Sequence, residues 1–320
     1  MPNERQGIAL NGLDGSNPLG FLAAVGLLRT LSDIEHLPVR MAWRSLEEGW
    51  RPILYGLRGD RALLCKKLLE AIGAFSSAVL DIGKELDNNK ESNKFPFDSR
   101  RFRAALKSAA DQPRAEGRRE IDLLAGLGTD LPLDKKGGLF RCTELKMVRS
   151  GDSNRQGMLW YAKSIQANVD ERMIERALFF SWDYKDEGYS LRWDPLEDQR
   201  YALRWRDPKK STLADGPATM MAANCLAVEA LRCFPVMPSG DSVQTTGFLK
   251  KGRQKRFIWP IWMPPLDIEI VRSLLSFPLL HKTPLPRAEL AAKGIADAYS
   301  ALLNRPNKYY SNFAPALPIE

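Results

Sequence analysis

Residues 17–30 leave the chain little choice. Asn17 is a residue type whose side chain caps a helix, and Pro18 suits the first helical position. Leu19, Leu22, Gly26, Leu27 and Thr30 follow at helical spacing, with apolar residues filling most positions between them. A helix so apolar belongs in a core, and Gly20 and Gly26 allow a second backbone to come close. Ile8–Leu13 before it alternates as a short strand, and Asp14-Gly15-Ser16 reads as a turn. The chain therefore opens strand, turn, buried helix.

The remainder mixes both element types. Met41–Leu57, with Trp43, Trp50, Ile53, Leu54 and Tyr55 among Gly and Pro, suggests strands. Asp60 and Asp98 are placed to cap helices over Arg61–Ala71 and Ser99–Ala110, and the apolar-free run Asp87–Lys94 between them reads as a loop. Helices are expected over Val169–Phe180, Pro217–Phe234, Asp267–Ser276 and Arg287–Asn304, and a β hairpin or meander over Trp182–Arg206. The expected class is α+β. The division expected is an α+β N-terminal domain over 1–210 and a mainly helical region over 211–320 that carries a basic β hairpin.

Charge narrows the function. The 320 residues hold 47 Lys and Arg against 39 Asp and Glu, a net charge of +8. A surplus of that sign attracts polyanions, because phosphates release bound counterions when Lys and Arg neutralise them. Histidine occurs only as His36 and His281, both in helix-end or loop contexts, which removes most histidine-based catalysis. Cys65, Cys142, Cys225 and Cys233 show no C-x-x-C spacing, so neither a zinc knuckle nor a redox pair is available, and buried reduced thiols account for them. The start, Met-Pro-Asn-Glu-Arg, lacks a secretory pattern, and the apolar runs around 19–28 and 257–266 are too short for a bilayer. A cytoplasmic protein without membrane contact, metal or cofactor is expected.

The sharpest electrostatic feature is Lys250-Lys251-Gly252-Arg253-Gln254-Lys255-Arg256, five cations with no acid among them, followed at once by Phe257, Trp259 and Trp262. Long cationic side chains on a packed base suit phosphate contact. The bland reading is a solvated hairpin tip. Arg100, Arg101, Arg103 and Lys107 form a second, helical cluster, in which Arg100, Arg103 and Lys107 share a face; exposed basic helices are common, so it adds less. Arg192 and Arg204, in an aromatic stretch that includes Trp193, Tyr201 and Trp205, are further candidates for phosphates. An enzyme reading also exists. Asp134, Glu144 and Lys146 follow the order of carboxylates and lysine in restriction-type nuclease cores, where two acids hold Mg²⁺ and the lysine helps activate water. That pattern is very short and arises by chance in many basic chains. No G-x-x-x-x-G-K-[ST] loop is present, so ATP-driven unwinding is not expected.

Two segments, 17–29 (Asn-Pro-Leu-Gly-Phe-Leu-Ala-Ala-Val-Gly-Leu-Leu-Arg) and 193–203 (Trp-Asp-Pro-Leu-Glu-Asp-Gln-Arg-Tyr-Ala-Leu), resemble signature segments of the large-subunit family of type I CRISPR effector (Cascade) complexes, with the closest likeness to subtype I-G, formerly I-U. A third, Thr245-Thr246-Gly247-Phe248 through Phe257–Trp262, is similar in the same order. Together they cover about a third of the chain. The resemblance implies a non-catalytic role in antiviral defence. Such a subunit sits in the crRNA-containing effector complex beside the backbone and other CRISPR-associated subunits. It reads the short motif (PAM) flanking the target, holds double-stranded DNA and recruits a separate helicase–nuclease. Two alternatives stay open: the Mg²⁺-dependent nuclease, and a scaffold that touches only protein. No motif-reading residue carries over, because the similar segments look like core and turn elements.

Overall fold

The computed structural model describes residues 7–35, 38–47, 49–74, 78–87, 90–131, 138–147, 157–197, 219–307 and 310–320. The fold is α+β, with antiparallel strands in small sheets packed among helices. Its first part runs β1 (Ile8–Ala9), α1 (Pro18–Ile34), β2 (Arg40–Leu46), β3 (Gly49–Tyr55), α2 (Arg61–Ala74), α3 (Ala78–Asp81), β4 (Lys84–Asp87) and β5 (Lys90–Asn93). There follow α4 (Ser99–Ala110), α5 (Arg114–Leu127), β6 (Gly128–Thr129), β7 (Arg141–Cys142), α6 (Met158–Asn168) and α7 (Glu171–Phe179).

Asn17 caps α1 as its residue type requires: its side-chain oxygen accepts from the N–H groups of Leu19 at 2.8 Å and Gly20 at 3.3 Å. Beyond the cap the helix is buried almost all round, from Pro18 to Leu28 without a break. One flank lies on α8 (Met221–Ala230), which is buried along its whole length. The close approach happens at Gly26, where an added Cβ would lie 1.8 Å from the Leu226 carbonyl oxygen. Only glycine fits there.

Another face of α1 meets the main sheet. That sheet is built by β10 (Phe248–Lys251), β11 (Gln254–Trp262), β12 (Ile295–Asn307) and β13 (Tyr310–Phe313), in that order, with β14 (Leu317–Pro318) also beside β12. The preceding pair β8 (Val236–Ser239) and β9 (Ser242–Thr245) forms its own hairpin, and α9 (Ile268–Leu275) and α10 (Arg287–Ala291) lie between β11 and β12. Phe21 of α1 stacks on Trp259 at 5.6 Å and on Trp43 at 6.0 Å, and meets Trp262 edge-on. A buried indole N–H gains from an acceptor, which Trp259 and Trp262 find and the buried Trp43 Nε1 does not among the described residues. Trp259 Nε1 donates to the Gly15 carbonyl and Trp262 Nε1 to that of Met41, both at 2.8 Å, which ties β11 to the first loop and the first sheet.

One apolar cluster runs from Leu10 through Phe102, Trp193 and Leu226 to Phe313. The boundary expected at 210 is therefore not a break in packing, since α1 and β2 of the first half share their core with α8 and β11 of the second. Nor is the described part of 211–320 mainly helical: seven strands outweigh its short helices. The largest departure is 287–304. Its alanines favour helix, but Gly294 at φ +78° ends α10 after five residues, and pairing with β11 makes the rest strand. Local propensity gives way there to a sheet partner. Of the polar run expected as a loop at 87–94, Asp87 ends β4 and Lys90–Asn93 form β5, paired with it as a hairpin; 88–89 lie outside the described residues. Within Trp182–Arg206, residues 182–194 form irregular structure with a single bridge, Asp186 to Thr219, and 195–197 are helical, in place of the expected hairpin; 198–206 lie outside the described residues.

Candidate nucleic-acid interface

The run 250–256 is a hairpin continuous with the main sheet. Lys250 pairs across the ladder with Lys255, Lys251 with Gln254 and Leu249 with Arg256, and Gly252 takes the left-handed turn conformation at φ +61°. Because side chains alternate in a strand, the hairpin has two faces. One carries Phe248, Lys250, Lys255 and Phe257 and continues into the main core; the other carries Leu249, Lys251, Gln254, Arg256 and Ile258. Phe257 packs against Phe234, Phe248, Trp259 and Phe313, so the base of the finger is fixed by aromatic contact.

Lys250, Lys251 and Arg253 are exposed, while Lys255 and Arg256 are half-buried. Lys255 is engaged: its Nζ pairs with Glu144. Lys250, Lys251, Arg253 and Arg256 form no ion pair among the described residues. The finger keeps most of its charge.

The helical cluster fares differently. Arg100 pairs with Asp98, the side chain that also caps α4; Arg101 reaches Glu85 at 3.1 Å, and Arg103 pairs with Asp130. Lys107 alone of the four is exposed without an ion pair among the described residues. As a cationic stripe the face of α4 is thus largely compensated by neighbouring acids, and these are solvated pairs worth little to stability.

Arg192 is not presented to solvent. Its residue is 5 % exposed, its backbone sits at φ +60°, and its guanidinium lies 5.1 Å over the Tyr310 ring. It belongs to the interior, so the expectation of a phosphate contact there is corrected. Arg204, with Asp198, Arg200, Tyr201 and Trp205, lies outside the described residues. Trp193 is fully buried and donates to the Leu145 carbonyl at 2.8 Å, which makes it a packing residue and removes it as a stacking platform.

The nuclease pattern comes apart in part. Asp134 lies outside the described residues. Glu144 is nearly buried and committed to Lys255, and its N–H donates to the Thr245 hydroxyl at 3.0 Å. Lys146 extends over the Phe95 ring at 5.7 Å. Among the described residues no group of three or more His, Cys, Asp or Glu side chains is placed to hold a metal ion. Cys65, Cys225 and Cys233 are buried as expected, with burial raising each thiol well above its ordinary range.

A feature that charge reading missed is the polar node under segment 184–197. Asp194, fully buried, accepts from Asn17 Nδ2 at 3.0 Å, from the Tyr184 hydroxyl at 2.7 Å and from the Leu196 N–H at 2.9 Å. Glu197, 2 % exposed, accepts from Ser190, Thr219 and Asn224. Burial, with the Asp194 carboxylate nearby, pushes Glu197 up to about 7 against the hydrogen bonds that pull it down. Perturbed carboxylates often mark active sites. Here both are occupied by internal donors that fix the segment onto α8, where Asp186 also accepts from the Met221 N–H at 2.8 Å. The signal was present in the sequence as Trp-Asp-Pro-Leu-Glu, but only the fold supplies its partners.

No protein-family model matches this chain, and no curated protein matches it. The reading of function rests on the residues themselves. Among the described residues no helix is long and apolar enough to cross a membrane.

Proposed function

We propose that this chain is a non-catalytic, cytoplasmic nucleic-acid-binding subunit of a CRISPR RNA-guided DNA surveillance complex. In that role it contacts duplex DNA beside the target-flanking motif and helps recruit a separate helicase–nuclease. The observation that carries the reading is the β10–β11 finger, on which Lys250, Lys251, Arg253 and Arg256 form no ion pair among the described residues while an aromatic base holds them in place. A rigid cationic finger suits a polyanion, because each phosphate it neutralises releases counterions. The three segments that resemble the CRISPR large-subunit family support the biological setting. They meet in one core, through Asn17 with Asp194 and Phe21 with Trp259.

Two measurements test this. Replacing Lys250, Lys251, Arg253 and Arg256 together by Ala is expected to weaken duplex binding and flatten its salt dependence, each lost phosphate contact removing about 0.9 from the log–log slope. Unchanged affinity and slope would remove the finger from the interface and leave a protein-only scaffold. Purification from the native host is expected to bring down a short guide RNA with backbone-type subunits; isolation without RNA or such partners overturns the CRISPR assignment.

A further inference from the structure

The second face of the finger does not end in solvent. A 3-10 turn, Pro278–His281, lies over it, and β14 closes the side beyond β12, leaving an open cleft of about 290 Å³. The floor is apolar, made by Leu249, Ile258, Leu280 and Ile319, and it extends the minor core that holds Leu285 and Leu290. Lys251 and Arg256 of the finger stand along one part of the rim and Lys282 at the turn. None of the three forms an ion pair among the described residues. Gln254, Thr283 and Ser300 add uncharged hydrogen-bonding groups, and exposed Glu320 is the one acid of the lining. His281 also lines the cleft; it is partly buried, and burial alone lowers its pKa. A neutral imidazole supplies one donor and one acceptor, the pattern suited to a base edge or a ribose hydroxyl.

Cations around the rim of an apolar floor suit a ligand with a compact anion at one end and a flat, weakly polar body at the other. The volume lies at the lower end of small-molecule sites, which run from roughly 300 to 1,000 Å³. It has room for one nucleotide-sized group and none for a duplex. We propose that this cleft binds a single nucleotide, free or as part of a single strand, with its phosphate held by Lys251, Arg256 and Lys282 and its base laid on the half-buried Leu249 and Ile319, which Ile258 and Leu280 support from beneath. The proposed function is deepened by this assignment, and the inference rests on that reading only for the strand as a source of the nucleotide.

Isothermal titration of the whole chain with adenosine monophosphate, uridine monophosphate, inorganic phosphate and a short oligothymidylate tests the assignment. The monophosphates are expected to bind about tenfold or more tighter than inorganic phosphate, since only they cover the floor. Lys282→Ala, at an exposed position outside the finger, is expected to weaken nucleotide binding about tenfold, the loss of one charge-assisted contact, while duplex affinity stays unchanged. Glu320→Gln is expected to tighten it, because a like charge leaves the rim. An oligothymidylate that binds far more tightly than a monophosphate, and loses affinity in Lys282→Ala as the monophosphate does, identifies a strand as the source; equal affinity identifies the free nucleotide. The assignment is overturned if neither monophosphate nor strand titrates, if inorganic phosphate binds as tightly as the nucleotides, or if Lys282→Ala changes nothing. Because Lys251 and Arg256 serve both sites, the finger variant affects both readings, and Lys282→Ala, which leaves the finger intact, is the measurement that separates them.

Discussion

Asn17 serves two elements at once: its Oδ1 caps α1, and its Nδ2 donates to the buried carboxylate of Asp194 from 177 positions away. A capping side chain and a distant buried acid are thereby joined in one residue.

Asn17→Ala is expected to destabilise the fold by about 2–3 kcal/mol, combining about 1 kcal/mol for the cap with the cost of a buried acceptor losing a donor. Asn17→Asp keeps the cap but sets a second carboxylate against Asp194, so it should be no more stable than the Ala variant at neutral pH and recover in mild acid. Urea unfolding of the two variants at pH 7 and pH 5 measures both effects. Equal stability of Asn17→Ala and the parent chain would show that the contact contributes nothing.

Glu197 gives the fold a pH signature. Its folded value, about 7, lies above the ordinary 4.5 because burial, helped by Asp194, disfavours the charged form. The folded state therefore holds the proton more tightly than the unfolded chain. Its contribution is fully present below about 4.5 and is lost as pH rises through about 7, so stability is expected to fall across that window and then level. Glu197→Gln should remove this part of the decline. Unfolding midpoints across the window, compared between the parent and the variant, provide the check; identical slopes would mean that Glu197 is ionised throughout.

The partner of Lys255 sets how much charge the finger presents. Glu144→Gln releases the ammonium, which is already partly exposed. Duplex binding should then tighten at low salt, and the log–log salt slope should steepen by about 0.9. A titration series in potassium chloride reads both quantities. An unchanged slope would place Lys255 away from the bound polyanion.

How far the sequence told this story depends on the range of the interaction. Asn17, Asp60 and Asp98 announce their helices because a cap acts over two or three residues, and all three accept from the first turn as their positions require. The finger is legible for the same reason, since its cations are consecutive and Gly252 marks the turn. The compensating acids are not legible. Glu144 reaches Lys255 across 111 positions and Asp130 reaches Arg103 across 27, so a charged helix and a charged hairpin look alike until the fold neutralises one of them. Arg192 was misjudged on the same ground: nothing near it in sequence announces Tyr310. The β12 strand stayed hidden because Ala296, Ala298 and Ala301 carry helix propensity, while its pairing partner lies in β11.

The tryptophan anchor on the first loop has a consequence for how the protein is made. Trp259 and Gly15 are 244 positions apart, and α1 finds its lodging only once α8 and β11 exist. At roughly 5–20 residues per second, a ribosome leaves the greasiest segment of the chain without a home for about ten to fifty seconds. Production of this protein should therefore depend on chaperone supply and slow growth more than its folded surface would suggest.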